Sequence, residues 1–131
     1  MERHLQVAVD CSDPHRLARF WAEVLGYVVQ DPPEGHADWA EFSRAEGGAG
    51  EAWCAVVDPH GSGPRVLFHS VPEPKSGKNR LHLDVRIGRQ HVDTEAARLV
   101  SLGATHVRTV EDTQDYFAVL RDPEGNEFCL C

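Results

Sequence analysis

The succession of strand, amphipathic helix and further strands occurs twice in this 131-residue chain, and a fold that satisfies both copies is a doubled α+β unit. In residues 4 to 11, Leu5, Val7, Val9 and Cys11 point one way while His4, Gln6, Ala8 and Asp10 point the other, the period of a half-buried strand. Asp13 and Pro14 supply a cap and a first-turn proline. Leu17, Phe20, Trp21, Val24 and Leu25 then recur at helical spacing until Gly26. The pattern restarts with Leu81, Leu83, Val85 and Ile87 against Arg80, His82, Asp84 and Arg86. Asp93 is read as the cap of a helix carrying Ala96, Leu99 and Val100 and ending at Gly103.

The landmarks of the copies superpose in sequence: Gln6 to Gly26 spans twenty positions and His82 to Gly103 twenty-one, and each copy carries Asp-Pro-x-Gly between its last two strands. Two unrelated strand–helix stretches are the alternative reading. Strands are expected at Tyr27 to Gln30, Trp39 to Ser43, Trp53 to Val57 and Arg65 to Val71 in the first copy, and at Thr105 to Thr109, Tyr116 to Arg121 and Glu127 to Cys131 in the second. Residues 31 to 50, rich in Pro, Gly, Ala and Glu, make the first copy longer. The expected layout is one domain over 1–131, with module one at 1–75, a linker at about 72–79 and module two at 80–131.

Thirteen Lys and Arg against twenty-one Asp and Glu give a formal charge of -8, the wrong sign for nucleic acid or anionic lipid. A cationic or neutral ligand is expected, although an acidic balance also keeps soluble proteins apart. No apolar run approaches a membrane span and no export signal opens the chain, so a cytoplasmic protein with four reduced cysteines is expected.

If the helices cover one side of each sheet, the polar rows face the other. Gln6, His69 and Asp10 then lie on the first polar face, and His82, Asp84, Glu127, Cys129 and Cys131 on the second. Gln6, His69, His82 and Cys129 would converge if the sheets curve toward one another. Asp84, two residues beyond His82, gives that imidazole a carboxylate neighbour. Trp39, Trp53 and Tyr116 are candidates to line a pocket together with Asp84 and Cys129, whereas Trp21 belongs to the helix stripe. Asp58 and Asp122 are read as turn residues.

The run Gln6-Val-Ala-Val-Asp-Cys-Ser-Asp13, the stretch Leu17-Ala-Arg-Phe-Trp-Ala-Glu-Val-Leu-Gly26, the restart at His82 and Asp122-Pro-Glu-Gly-Asn-Glu-Phe128 resemble the vicinal oxygen chelate superfamily. That superfamily includes glyoxalase I, extradiol dioxygenases, fosfomycin-resistance enzymes and bleomycin-binding proteins, and the likeness is nearest to short bacterial glyoxalase-like proteins. It implies two βαβββ modules with curved mixed sheets around a cavity and helices outside. It also implies metal ligands on the first and last strands of the modules, which Gln6, His69 and His82 match. At the last such position metal-dependent members place a Glu; here it is Cys129. That substitution speaks against glyoxalase I and extradiol dioxygenase activity, because each loses a ligand.

Two functions follow from the resemblance. One is a metal-dependent enzyme acting on a small oxygenated substrate through a divalent ion (Zn, Ni, Mn or Fe) held by His82, Gln6, His69 and Cys129, without a nucleotide cofactor. The other is a metal-free module that binds or sequesters a small, drug-type molecule. A homodimer is an expected assembly.

Overall fold

A computed structural model of the chain describes the backbone of residues 1–131 and every side chain but that of Ala49. The chain divides into two compact units, Met1–Pro74 and Lys75–Cys131. Among the described residues no helix is long and apolar enough to cross a membrane.

In the first unit, β1 (Gln6–Cys11) runs parallel to β4 (Arg65–Ser70), which pairs antiparallel with β3 (Trp53–Val57), itself paired with the two-residue β2 (Val28–Val29). The alternation expected of β1 is present: Gln6, Ala8 and Asp10 are exposed while Cys11 is buried. Helix α1 (Pro14–Leu25) begins where the Asp13 carboxylate accepts the Arg16 N–H at 3.1 Å. It ends at Gly26, whose φ of 67° suits a residue without a Cβ. Its buried stripe of Leu17, Phe20, Trp21 and Val24 packs on β3 and β4, against the side that carries Cys54, Val56, Val66 and Phe68. A fully buried Phe68 or Leu17 contributes roughly 1.5–3 kcal/mol each.

The expected strand at Trp39 to Ser43 is instead a helix, α2 (Trp39–Glu46). The Asp38 carboxylate caps it by accepting the Glu41 N–H at 2.7 Å, and the Glu41 carboxylate accepts the N–H of Ala37, the residue before the cap, at 2.9 Å, so that two donors at the helix start are satisfied. Trp39, Phe42 and Ser43 then fall on one side. The Phe42 ring lies 5.7 Å from that of Trp53, and the Ser43 hydroxyl bonds the Trp53 backbone. The added segment of the first copy therefore lays a helix over the end of the sheet face opposite α1. The strand expected at Tyr27 to Gln30 is likewise reduced to Val28–Val29.

The second unit repeats the strand order: β5 (Leu83–Val85) is parallel to β8 (Glu127–Leu130), followed by β7 (Tyr116–Arg121) and β6 (Thr105–Glu111), both antiparallel. Phe128 and Leu130 are fully buried beneath the helix side with Leu120. β5 is shorter than its alternation predicts, and Leu81 is 89% exposed. Continuing the register from Leu83 opposite Phe128 would set Leu81 opposite Asn126, whose backbone is already tied to Asp122. Helix α3 (Val92–Ser101) starts one residue before Asp93, after a single 3-10 turn at Arg89–His91. Asp93 is not its cap: its carboxylate accepts the Tyr116 hydroxyl at 2.5 Å. Val92, Ala96 and Leu99 are buried, whereas Val100, expected on the same stripe, is 44% exposed.

Both Asp-Pro-x-Gly sequences fold as turns closed by their aspartates. Asp58 accepts from the backbone N–H groups of His60 and Gly63 and from the Ser62 hydroxyl. Buried Asp122 accepts from the N–H groups of Glu124 and Asn126 and from the Asn126 amide.

Candidate functional site

The second sheet turns Phe128 and Leu130 toward its helix, so the residues between and beyond them, Glu127, Cys129 and Cys131, take the other face. The parallel ladder sets Asp84 directly opposite Cys129. His82 precedes β5 by one residue, and its Nδ1 lies 3.2 Å from the Asp84 carboxylate. One ligating atom from each of His82, Asp84 and Cys129 lies within 4.8 Å of the other two. His82 and Asp84 are about half exposed and Cys129 is partly buried, so the group is open to solvent on one side.

The electrostatics of the cluster keep its sulfur neutral. Burial, then the charge and the hydrogen bond of Asp84, push the Cys129 thiol up to about 11, against a smaller opposing pull from Arg108. With Nδ1 of His82 donating to Asp84, its Nε2 is left as the basic nitrogen. Imidazole, carboxylate and sulfur together form a donor set for a borderline ion such as zinc; oxygen-seeking magnesium would prefer an all-oxygen set. A cation entering there would displace the thiol proton.

Glu127, the carboxylate next in line on the face, is engaged elsewhere. The Lys78 ammonium sits 2.9 Å from it and is the main reason its carboxyl is held below the usual range. Cys131 donates its thiol to the Val85 carbonyl at 3.8 Å and stands outside the three-residue group.

On the first unit, Gln6 and His69 are not brought together. Gln6 pairs across the ladder with Arg65, whose guanidinium donates to the Gln6 amide oxygen at 2.6 Å and to Gln30 at 2.7 Å. His69 stands four residues farther along β4, roughly 13 Å at strand spacing. Its ring stacks on Trp53 with centroids 5.3 Å apart and 5° between planes, and its Nε2 is 3.9 Å from Glu51. Matching the registers of the two parallel pairs, Ala8 and Leu67 occupy in the first unit the places that Asp84 and Cys129 occupy in the second.

Of the aromatic residues read as pocket lining, Trp39 is 7% exposed and donates its indole N–H to the Gln30 carbonyl at 2.6 Å, a core position. Trp53 is half-buried between Phe42 and His69. Tyr116 belongs to the helix side of its sheet. There it lines an open concavity of about 500 Å³ with Arg89, Gln90, Asp93 and Glu111, and the Arg89 guanidinium lies 4.6 Å above its ring. The sequence reading passed over Arg65, which occupies Gln6, and Arg108, whose charge reaches Cys129 and Glu127. Arg65 was discernible from strand parity; Arg108 was not, because β6 shifts register between His106 and Arg108.

The sequence model of the glyoxalase-like domain family matches residues 6–131. No curated protein sequence matches the chain. Among solved structures, a glyoxalase/bleomycin resistance protein/dioxygenase family enzyme from Burkholderia phytofirmans is similar at 18% identity and a TM-score of 0.69, covering 95% of this chain and 94% of its own. The fosfomycin resistance protein FosX from Mesorhizobium loti is similar at 13% identity and a TM-score of 0.70, over 99% and 90% of the two chains. A mutant FosX from Listeria monocytogenes, complexed with Mn(II) and 1S,2S-dihydroxypropylphosphonic acid, gives 11% identity and a TM-score of 0.71 over 99% and 91%.

Proposed function

The chain belongs to the glyoxalase-like domain family, and from that premise we propose that it takes a small oxygenated molecule at a divalent ion held on its second unit by His82, Asp84 and Cys129. The observation that carries this reading is the convergence of three ligating side chains within 4.8 Å. The FosX structure from Listeria, with Mn(II) and a dihydroxypropylphosphonic acid, supports the pairing of such a fold with a metal and a small oxygenated ligand.

The residues fit the group. Three protein donors leave a coordination position free for a ligand, and the sulfur among them favours zinc over the harder manganese. When bound, such an ion supplies Lewis acidity toward a ligand oxygen. Asp84 would neutralise part of the incoming charge, giving up its contact with His82 Nδ1 to the ion. Cys129 would give up its proton to hold the ion, so occupancy would rise with pH. Gln6, bonded by Arg65, and His69, stacked on Trp53, lie outside the group of three converging side chains.

Elemental analysis of protein purified without a histidine tag tests the reading. One equivalent of zinc per chain, lost in His82→Ala, is the expected result. No metal after zinc addition and desalting would overturn it. That outcome would favour the second reading, a metal-free binding module, which has its own support: the Cys129 thiol is neutral and His82 and Asp84 already satisfy one another.

A further inference from the structure

The sign of the whole chain points to a cationic or neutral ligand, but the charge is unevenly divided. Residues 1–74 carry five Lys and Arg against twelve Asp and Glu, whereas residues 75–131 carry eight against nine. On the second unit the basic groups also have a place. Across its four strands, Asp84 lies opposite Cys129, Cys129 opposite Val119, and Val119 opposite Arg108. Cross-strand partners share a face, so these four form one row on the side away from α3. The shift of register in β6 makes this possible, sending His106 and Thr109 to the α3 side and Arg108 to the other. Arg121, two residues past Val119 and opposite Glu127, stands in the next row of the same face.

Arg108 is two strands from Cys129, about 10 Å between backbones, within the span of an extended arginine side chain. Glu127, the cross-strand partner of Arg121, is bonded to Lys78, whose pull on that carboxylate exceeds those of the two arginines. Among the described residues neither the Arg108 nor the Arg121 side chain has a hydrogen bond or a salt bridge; both are exposed, and their charges act on Glu127 and, from Arg108, on Cys129. Two guanidiniums on one face with no side-chain hydrogen bond, beside a group of ligating side chains, make an arrangement that binds a charged oxygen acceptor with several N–H donors.

We propose that Arg108 and Arg121 form an oxyanion subsite beside His82, Asp84 and Cys129, so that the small molecule taken by the second unit carries a carboxylate, phosphate or phosphonate group. The inference rests on the reading of that cluster as the ligand site, and it changes the expected ligand from cationic or neutral to anionic. The metal-side donors and the arginines then grip different ends of one molecule.

The test is a two-dimensional NMR titration that follows the arginine Nε–H signals as inorganic phosphate or lactate is added, at low ionic strength, to zinc-loaded and to chelator-treated protein. The expected result is a saturable shift of the Arg108 and Arg121 signals with at least one of the two anions, and the stronger binder distinguishes a tetrahedral from a carboxylate headgroup. Affinity should fall about tenfold in Arg108→Gln and again in Arg121→Gln, the loss expected for a charge-assisted contact, and should be unchanged in Arg98→Gln. Zinc stoichiometry should stay at the wild-type value in all three variants. Both arginines are exposed, and a circular dichroism melt verifies that the variants fold. Equal affinity in wild type and the double variant would overturn the subsite, as would the absence of any anion-dependent shift. Arginine-dependent binding in protein that takes no zinc would uphold the subsite and count against the metal alone.

Discussion

Asp84 and Cys129 are direct partners across the parallel pair β5–β8, and the carboxylate of one adds to burial in holding the thiol of the other neutral. Burial is the larger cause of the upward shift to about 11, and Asp84 adds its charge and hydrogen bond. Replacing Asp84 by Asn removes the charge, lowers the thiol toward its ordinary value and raises the thiolate fraction at pH 8. In chelator-treated protein, iodoacetamide labelling of Cys129 should therefore quicken several-fold in Asp84→Asn. Cys54, also pushed up to about 11 but by burial alone among its raising causes, should not respond. Site-resolved mass spectrometry measures both rates, and an unchanged rate at Cys129 would remove the carboxylate from the account.

Metal preference should follow the sulfur. Cys129→Glu exchanges a soft donor for a hard one and places a carboxylate where the family resemblance implies one. Zinc affinity is expected to fall by about tenfold or more while manganese affinity rises, read by competition with a chromophoric chelator. The same zinc preference in both proteins would mean that the sulfur is not a ligand.

Asp122 closes the last turn from a buried position, accepting two backbone N–H groups and one side-chain amide. Asp122→Ala leaves those donors unmet and should cost about 2–4 kcal/mol of stability by urea denaturation.

The exposed Asp58 turn behaves differently with pH. Its carboxyl is held below the ordinary range, first by the His60 N–H and then by the donors of Gly63 and Ser62. A depressed folded value means that its stabilisation is present above the unfolded value and is lost as pH falls through the folded one. Asp58→Asn should thus lower the denaturation midpoint at pH 7, and the gap from wild type should narrow as the pH is taken below the ordinary carboxylate range. A gap that persisted at low pH would assign the effect to turn geometry rather than ionisation.

The parts of the fold legible in the sequence are those governed by strong local chemistry. Asp13 and Gly26 bounded α1 because a cap and a positive φ admit few residue types, and parity alone put Phe128 and Leu130 in the core with Cys129 opposite. The His82–Asp84 contact followed from spacing of two on one strand face. Tertiary competition hid the rest. Asn126 is consumed by the Asp122 turn, so β5 stops short of Leu81. Asp93 is drawn to Tyr116, so the cap of α3 was misplaced. Arg65 bonds the Gln6 amide, and His69, four residues along β4 from Arg65, stacks on Trp53, so local packing separates two polar strand residues that matched ligand positions by sequence.

The largest miss, α2, makes a prediction of its own. Its two aromatic residues pass for a short strand, and the helix is decided by the Asp38 cap, by the Glu41 carboxylate on the Ala37 N–H and by the burial of Trp39. Trp39→Phe keeps most of the apolar surface but leaves the Gln30 carbonyl without its 2.6 Å donor, which should cost about 1–3 kcal/mol. Asp38→Ala removes only the cap and should cost about 1 kcal/mol. Because α2 supports Trp53 through Phe42 and Ser43, both variants should loosen the Trp53–His69 stack as well as lower the melting temperature, and tryptophan fluorescence would report the change. Zinc binding on the second unit should be untouched by either. A helix that served the metal cluster would show the opposite pattern, with lost zinc and an unaltered Trp53 signal.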